Sequence, residues 1–281
     1  MIRSLIIGNE PDVKRYSNIL GSSKYFGIQE HLLVAENKLP LIPLSEKSFD
    51  ALFLVSNFIN AYSLFESAIK TKSNFYFVDQ QKLSLNELIR LNDLFLEAGN
   101  MMFPEILELE HPLMEEFIST KGSYLLFRYT KSVANKKLIR GAILSALSFL
   151  SLLSPMQVKK IDVNSLDTSE TGRPVFKIRL KMYDSSVAYV ILKLENKEEQ
   201  SILIESQDGS FLFNLQENYL ENIHGIRFYG EPITPEKLLL KNLEAFGLNI
   251  ILNKDNKFNF NHYYLSVKSL LKISSILENS L

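Results

Sequence analysis

The sequence predicts an α/β chain in two parts: a Rossmann-like parallel-sheet half, then an α/β half with a mostly antiparallel sheet. Two patterns carry the prediction. From the first residues to about Ile118, short continuous apolar runs alternate with stretches of helical spacing, the signature of a parallel sheet with crossover helices. Beyond that point the apolar residues recur with period two, as in antiparallel strands. At 281 residues the chain accommodates both, with expected domains of 1–118 and 119–281.

Ile2 to Ile7 is the first buried strand, and Asp12 to Leu20 places Val13, Tyr16, Ile19 and Leu20 on one helical face. A second strand falls between Tyr25 and Ala35 without a register that the pattern settles. Ala51 to Val55 is a third strand, Ala61 to Lys70 a helix, and Phe75 to Val78 a short buried strand. Ser84 and Glu87 have capping-box spacing, and the helix they open ends at Ala98 before Gly99. Met101 to Phe103 is a further strand. In the second half a core helix spans Ala134 to Leu153. In the run Phe176 to Met182, Phe176, Ile178, Leu180 and Met182 share one face, opposite Lys177, Arg179 and Lys181. Val187–Leu194, Ser201–Glu205, Ser210–Leu215 and Ile223–Tyr229 continue the series, with Asp208-Gly209 as a turn. Thr234 and Pro235 open a helix, and His262 to Glu278 forms the last one.

Composition narrows the function. Net charge is −1, which points away from nucleic acid and acidic membrane surfaces, and the absence of cysteine removes disulfides, thiolate metal sites and cysteine nucleophiles. The longest apolar run, Gly141 to Leu153, is too short to span a bilayer and is interrupted by Ser145, Ser148 and Ser151. The N-terminal segment lacks the layout of a signal peptide. A cytoplasmic protein is expected. His31, His111, His224 and His262 lie in no metal-ligand spacing, so no metal is expected. No GxSxG or P-loop is present.

The stretch "IIGNEPDV", Ile6 to Val13, begins as a phosphate-binding strand–turn–helix does. It then sets acids and a proline where further glycines are expected. Asn9 or Glu10 can cap the helix, Pro11 suits its first turn, and Asp12 sits against the positive end of its dipole.

The segment Asp50 to Gly99 resembles, without a gap, the glucose–fructose oxidoreductase / inositol dehydrogenase / MocA family, which reads there "DAV-I-ATPN", "K-VLVEKP" and "T-EEA-EL---A-EAG". His111-Pro112 falls where the family often has "RFHP", and Ala134 to Ser154 on the helix that usually carries "D-G-H--D". The similarity is dense from Asp50 to Gly99 and weak from Asp162 onward. The resemblance implies an NAD(P)-binding Rossmann domain and a C-terminal α/β domain with a large open sheet. The outer face of that sheet, bearing Val175, Lys177, Arg179, Lys181 and Tyr183, is where such proteins dimerise.

At the family's motif positions the residues differ. Its three turn glycines fall on Gly8, Glu10 and Val13, and a side chain at the middle one occupies the approach to the pyrophosphate. The lysine of "EKP" falls on Asp79, with Val78 and Gln80 beside it. The family's aspartate falls on Arg140, its proton-transferring histidine on Leu144 and a further aspartate on Leu147. Leucine takes no proton, and arginine stays protonated at any working pH.

The expectation is therefore a catalytically degenerate member, a pseudoenzyme with a binding, regulatory or assembly role, no cofactor, and an unknown protein or small molecule as partner. One alternative is an active NAD(P)-dependent oxidoreductase on a sugar or polyol. In it His111 or Tyr62 donates the proton, and NAD or NADP contacts fall on Gly8, Asn9, Lys14, Arg15, Ser56 and Asn57. Another is a small-molecule sensor using an interdomain cleft. The acids Glu105, Glu108, Glu110, Glu115 and Glu116 around His111 read first as a solvated helix face, and otherwise as a site for a cation or a basic partner.

Overall fold

The computed structural model describes residues 1–34, 49–58, 61–78, 83–99, 101–114, 124–154, 157–167, 174–196, 199–207, 209–254 and 258–278. Two compact units emerge, Met1–Glu110 with Thr234–Tyr264, and His111–Ile233 with Leu265–Leu281.

Unit 1 is a five-stranded sheet in the order β2-β1-β3-β4-β5, all parallel. Its strands are β1 (Ile2–Gly8), β2 (Phe26–Leu33), β3 (Ala51–Leu54), β4 (Asn74–Val78) and β5 (Met102–Glu105). β2 is the strand whose register the sequence left open; it pairs Ile2 with Phe26 and shifts by one residue between Ser4 and Leu5. Helix α1 (Glu10–Gly21) buries Val13, Tyr16 and Leu20. Helix α2 is Ala61–Lys70, and α3 (Leu85–Ala98) has the expected capping box at Ser84 and Glu87 and a left-handed Gly99 at its end.

The helix from Thr234 groups with this unit, not with the part after residue 118 where the sequence reading placed it, and the unit's first segment ends at Glu110. This helix, α5 (Pro235–Leu252), is capped by Thr234, whose hydroxyl accepts from the Lys237 amide at 3.3 Å. Its Phe246 ring lies 5.4–6.1 Å from those of Phe26, Phe53, Tyr76 and Phe103. Gly247 lets α5 come close to β2, since a Cβ there would stand 2.8 Å from Tyr25 Cβ. Five aromatic side chains in one cluster outweigh sequence distance, and the helix completes the first core.

Unit 2 is an eight-stranded sheet in the order β13-β12-β11-β10-β6-β9-β8-β7, antiparallel except where β6 and β9 run parallel. β8 (Pro174–Met182) and β9 (Val187–Leu194) follow the expected alternation; Phe176, Ile178, Leu180 and Met182 are buried, and Lys177, Arg179 and Lys181 are exposed. Tyr183, expected on that outer face, lies in the turn after β8. β10 (Gln200–Ser206) and β11 (Gly209–Asn214) continue the sheet.

Three strands escaped the sequence reading: β6 (Tyr124–Val133), β7 (Val158–Asp167) and β12 (Tyr219–Asn222). β6 mixes Arg128, Thr130, Lys131 and Ser132 into its apolar run, which blurs the period. The expected Ile223–Tyr229 strand shrinks to β13 (Arg227–Tyr229), because a turn at Asn222–Gly225 takes its first residues.

The core helix α4 begins at Ile139, not near Ala134, and ends at Leu153. A 3-10 turn over Lys136–Leu138 precedes it, and no side chain caps it. The last helix, α6 (Phe260–Glu278), sets Phe260 against Phe95 at 5.3 Å and Tyr263 against Phe77 at 5.1 Å in its first turn.

Candidate functional site

The carboxyl ends of β1 and β3 and the start of α1 form the candidate site, the place where an open parallel sheet of this order usually binds its ligand. Asn9 is the N-cap of α1; its side-chain oxygen accepts from the Asp12 amide at 2.9 Å. Ser56, just past β3, is buried, and its hydroxyl oxygen accepts from the Asn9 amide at 3.0 Å. The same hydroxyl donates to Asp12 Oδ2 at 2.5 Å, and Asn9 Nδ2 donates to that oxygen at 2.9 Å. The Val13 amide makes the first intrahelical bond, to the Asn9 carbonyl at 2.9 Å.

This bracket occupies part of the helix mouth. Of the amides that open a helix and attract an anion, those of Asn9 and Asp12 already have acceptors in the protein's own side chains, and Pro11 has no N–H. The carboxylate engaged there is Asp12, whereas the sequence reading placed Glu10 in the phosphate's position; Glu10 is exposed in the first turn. Packing requires a glycine at Gly8: a Cβ would stand 2.7 Å from Val55 Cγ2, 2.9 Å from Ser56 Oγ and 3.2 Å from Val13 Cγ2.

The remaining sequence-derived residues scatter. Lys14 and Arg15 are exposed along α1, and Asn57 is exposed beside Ser56. Tyr62, half-buried on α2, has its ring 5.9 Å from the Arg90 guanidinium. His111, Arg140 and Leu144 belong to unit 2. His111 is buried and its Nδ1 accepts from the Leu113 amide at 3.3 Å. Arg140 is exposed, while Leu144 and Leu147 are core residues of α4. Asp79, Gln80, Glu115 and Glu116 lie outside the described residues. Among the described residues no three of His, Asp and Glu gather as a metal site, and no helix is long and apolar enough to cross a membrane.

A second polar cluster in unit 1 had no sequence signal. Glu105 ends β5 and is partly buried, not part of a solvated helix face. Its Oε2 accepts from the Tyr16 hydroxyl and lies 2.7 Å from the Tyr76 hydroxyl. Tyr76 also lies 2.7 Å from Asn242 Oδ1 on α5, and Asn242 Nδ2 lies 3.3 Å from Glu110 Oε1. Burial raises the Glu105 carboxyl above its ordinary value, with the two tyrosine hydroxyls pulling the other way; burial and the Glu105 charge raise both phenols. The partners of Tyr76 are 29 and 166 residues away in sequence, so no local pattern announces them.

No family model matches the chain, and no curated protein matches it. Solved structures do. The fold is that of two-domain dehydrogenases. UDP-N-acetylglucosamine 3-dehydrogenase from Acidithiobacillus ferrooxidans superposes with a TM-score of 0.76 at 13% identity, over 97% of this chain and 96% of that one. A dehydrogenase from Clostridium difficile gives 0.74 at 14%, over 100% and 99%. Biliverdin reductase from Synechocystis, solved with biliverdin and NADP+, gives 0.69 at 14%, over 95% and 96%. The two dehydrogenases are of the kind that the sequence resembles.

Proposed function

We propose that this chain is a binding or assembly protein on a dehydrogenase framework, and that it takes no dinucleotide at the β1–α1 turn. The observation that carries the reading is the Asn9–Asp12–Ser56 bracket across the helix mouth. A pyrophosphate entering there meets the Asp12 carboxylate. Two unit charges about 4 Å apart at an effective dielectric near 20 repel by roughly 4 kcal/mol, about three decades in affinity. Moving Asp12 aside also removes the acceptor that the Ser56 hydroxyl and the Asn9 NH2 now share. Arg140 and Leu144, at the positions where the resemblance puts a proton-transfer pair, supply no base.

Fluorescence titration with NADH and NADPH tests this reading. It expects no saturable binding and no thermal shift from either nucleotide in oxidised or reduced form. Saturable micromolar binding overturns it.

The second reading, an active NAD(P)-dependent oxidoreductase, draws support from neighbours solved with NADP+ and with NAD+. It expects cofactor turnover in a screen of sugars and polyols, with Lys14 or Arg15 holding phosphate and turnover lost in His111→Ala. An inert wild type across that screen rejects it.

A further inference from the structure

The cluster around Glu105 has more contacts than hydrogens. It contains four contacts: Tyr16 to Glu105, Tyr76 to Glu105, Tyr76 to Asn242 and Asn242 to Glu110. Each tyrosine hydroxyl supplies one hydrogen. The Asn242 carboxamide can turn its NH2 toward Glu110 or toward Tyr76, not toward both. Three donors therefore serve four contacts. With the NH2 on Glu110, Tyr76 has one hydrogen for two oxygens, each at 2.7 Å, so the Tyr76–Glu105 or Tyr76–Asn242 contact lacks a proton. With the NH2 on Tyr76, the amide oxygen faces Glu110 and the deficit moves there. In either orientation a proton on one of the two carboxyls closes the chain, and no other group in it can carry one.

We propose that unit 1 holds one carboxyl proton at neutral pH within Tyr16–Glu105–Tyr76–Asn242–Glu110, and that this proton latches α5 to the sheet. When the carboxyl ionises, Tyr76 turns its only hydrogen to Glu105 and Asn242 loses its polar anchor on β4. The latch thus loosens as pH rises.

The surroundings favour the site at Glu105. Charged and titratable neighbours come from α1 (Tyr16 and Arg15), from β4 (Tyr76) and from the 3-10 turn Leu107–Glu110 (Glu108 and Glu110); α5 presents the neutral Asn242. Arg15 favours the charged form and Glu108 opposes it, while burial, the largest influence, favours the neutral acid.

The test uses the full chain with 13C-labelled glutamate. At neutral pH solvated carboxyls are ionised, so infrared spectroscopy of the wild type should show a protonated-carboxyl C=O band. Glu105→Gln, whose amide supplies the missing hydrogen, should lose that band. It should also flatten the fall of Tm with rising pH that the latch predicts for the wild type. Loss of the band in Glu110→Gln instead also supports the latch, with the proton at its other end. Amide exchange in α5, corrected for intrinsic rates, should accelerate with pH in the wild type and not in Glu105→Gln. A wild type without the band, or a band that survives in both glutamine variants, overturns the proposal.

Discussion

Helix α1 brings side chains to two carboxyl groups, and the two environments are built on opposite principles. At the first turn, Asp12 Oδ2 receives hydrogens from Ser56 and Asn9, and the helix dipole favours its charge. One turn later, Tyr16 reaches Glu105, where acceptors outnumber hydrogens and aromatic rings surround the group. Burial alone does not separate them, since both residues are partly buried. What differs is the sharing of donors: Ser56 and Asn9 each give a hydrogen to Asp12, whereas the Tyr76 hydroxyl that serves Glu105 also faces Asn242.

The largest break in this comparison comes from Phe246→Ala, which empties the centre of the five-ring cluster. It should cost about 3–5 kcal/mol in denaturant unfolding and leave the Asn9–Asp12–Ser56 bracket without a direct loss.

Next is the isosteric pair Asp12→Asn and Glu105→Gln. Asp12→Asn gives up charge-assisted bonds and the favourable end of the dipole, and should cost about 1–3 kcal/mol at neutral pH. Glu105→Gln should cost less than about 1 kcal/mol there, because an amide replaces a neutral acid. Equal costs would erase the distinction between the two sites.

The pH dependence sharpens it further. A carboxyl raised in the folded state binds more protons there than in the unfolded chain, so its contribution is full below the unfolded pKa and is lost as pH rises through the folded one. The smallest effect has the opposite sign. Asp50, on the surface opposite Arg3 at 2.9 Å, is held below its usual range by that guanidinium, so its contribution is present above the unfolded pKa and lost as pH falls. Asp50→Asn should remove only a shallow acid limb from the Tm–pH curve, since an exposed pair is screened by water and salt.

Much of the architecture was legible in the residues. Periodicity exposed the parallel half, the Ser84–Glu87 box marked the start of α3, and β8 announced its two faces residue by residue. Legibility ended where partners are distant or polar residues interrupt a strand. β6, the strand between β10 and β9, was missed because its solvent side carries Arg128 among apolar neighbours. The candidate site was half legible. Asn9, Pro11 and Asp12 form a local capping pattern, but Ser56 joins them from 44 residues beyond Asp12, and nothing in its own segment says so. Glu105 looked like one acid in a run of acids. Only its fold neighbours, two tyrosines and an asparagine from three other elements, distinguish it.

Because α5 follows the strands of unit 2 in sequence, the aromatic core of the first sheet cannot be completed in the order in which its parts are synthesised. When Phe103 leaves the ribosome, Phe26, Phe53, Tyr76 and Phe103 lack the ring that will cover them, and Phe246 arrives only after the whole eight-stranded sheet has been made. At about 5–20 residues per second the delay is on the order of ten seconds. Through that interval those four rings wait for the side chain that completes their cluster in the native unit.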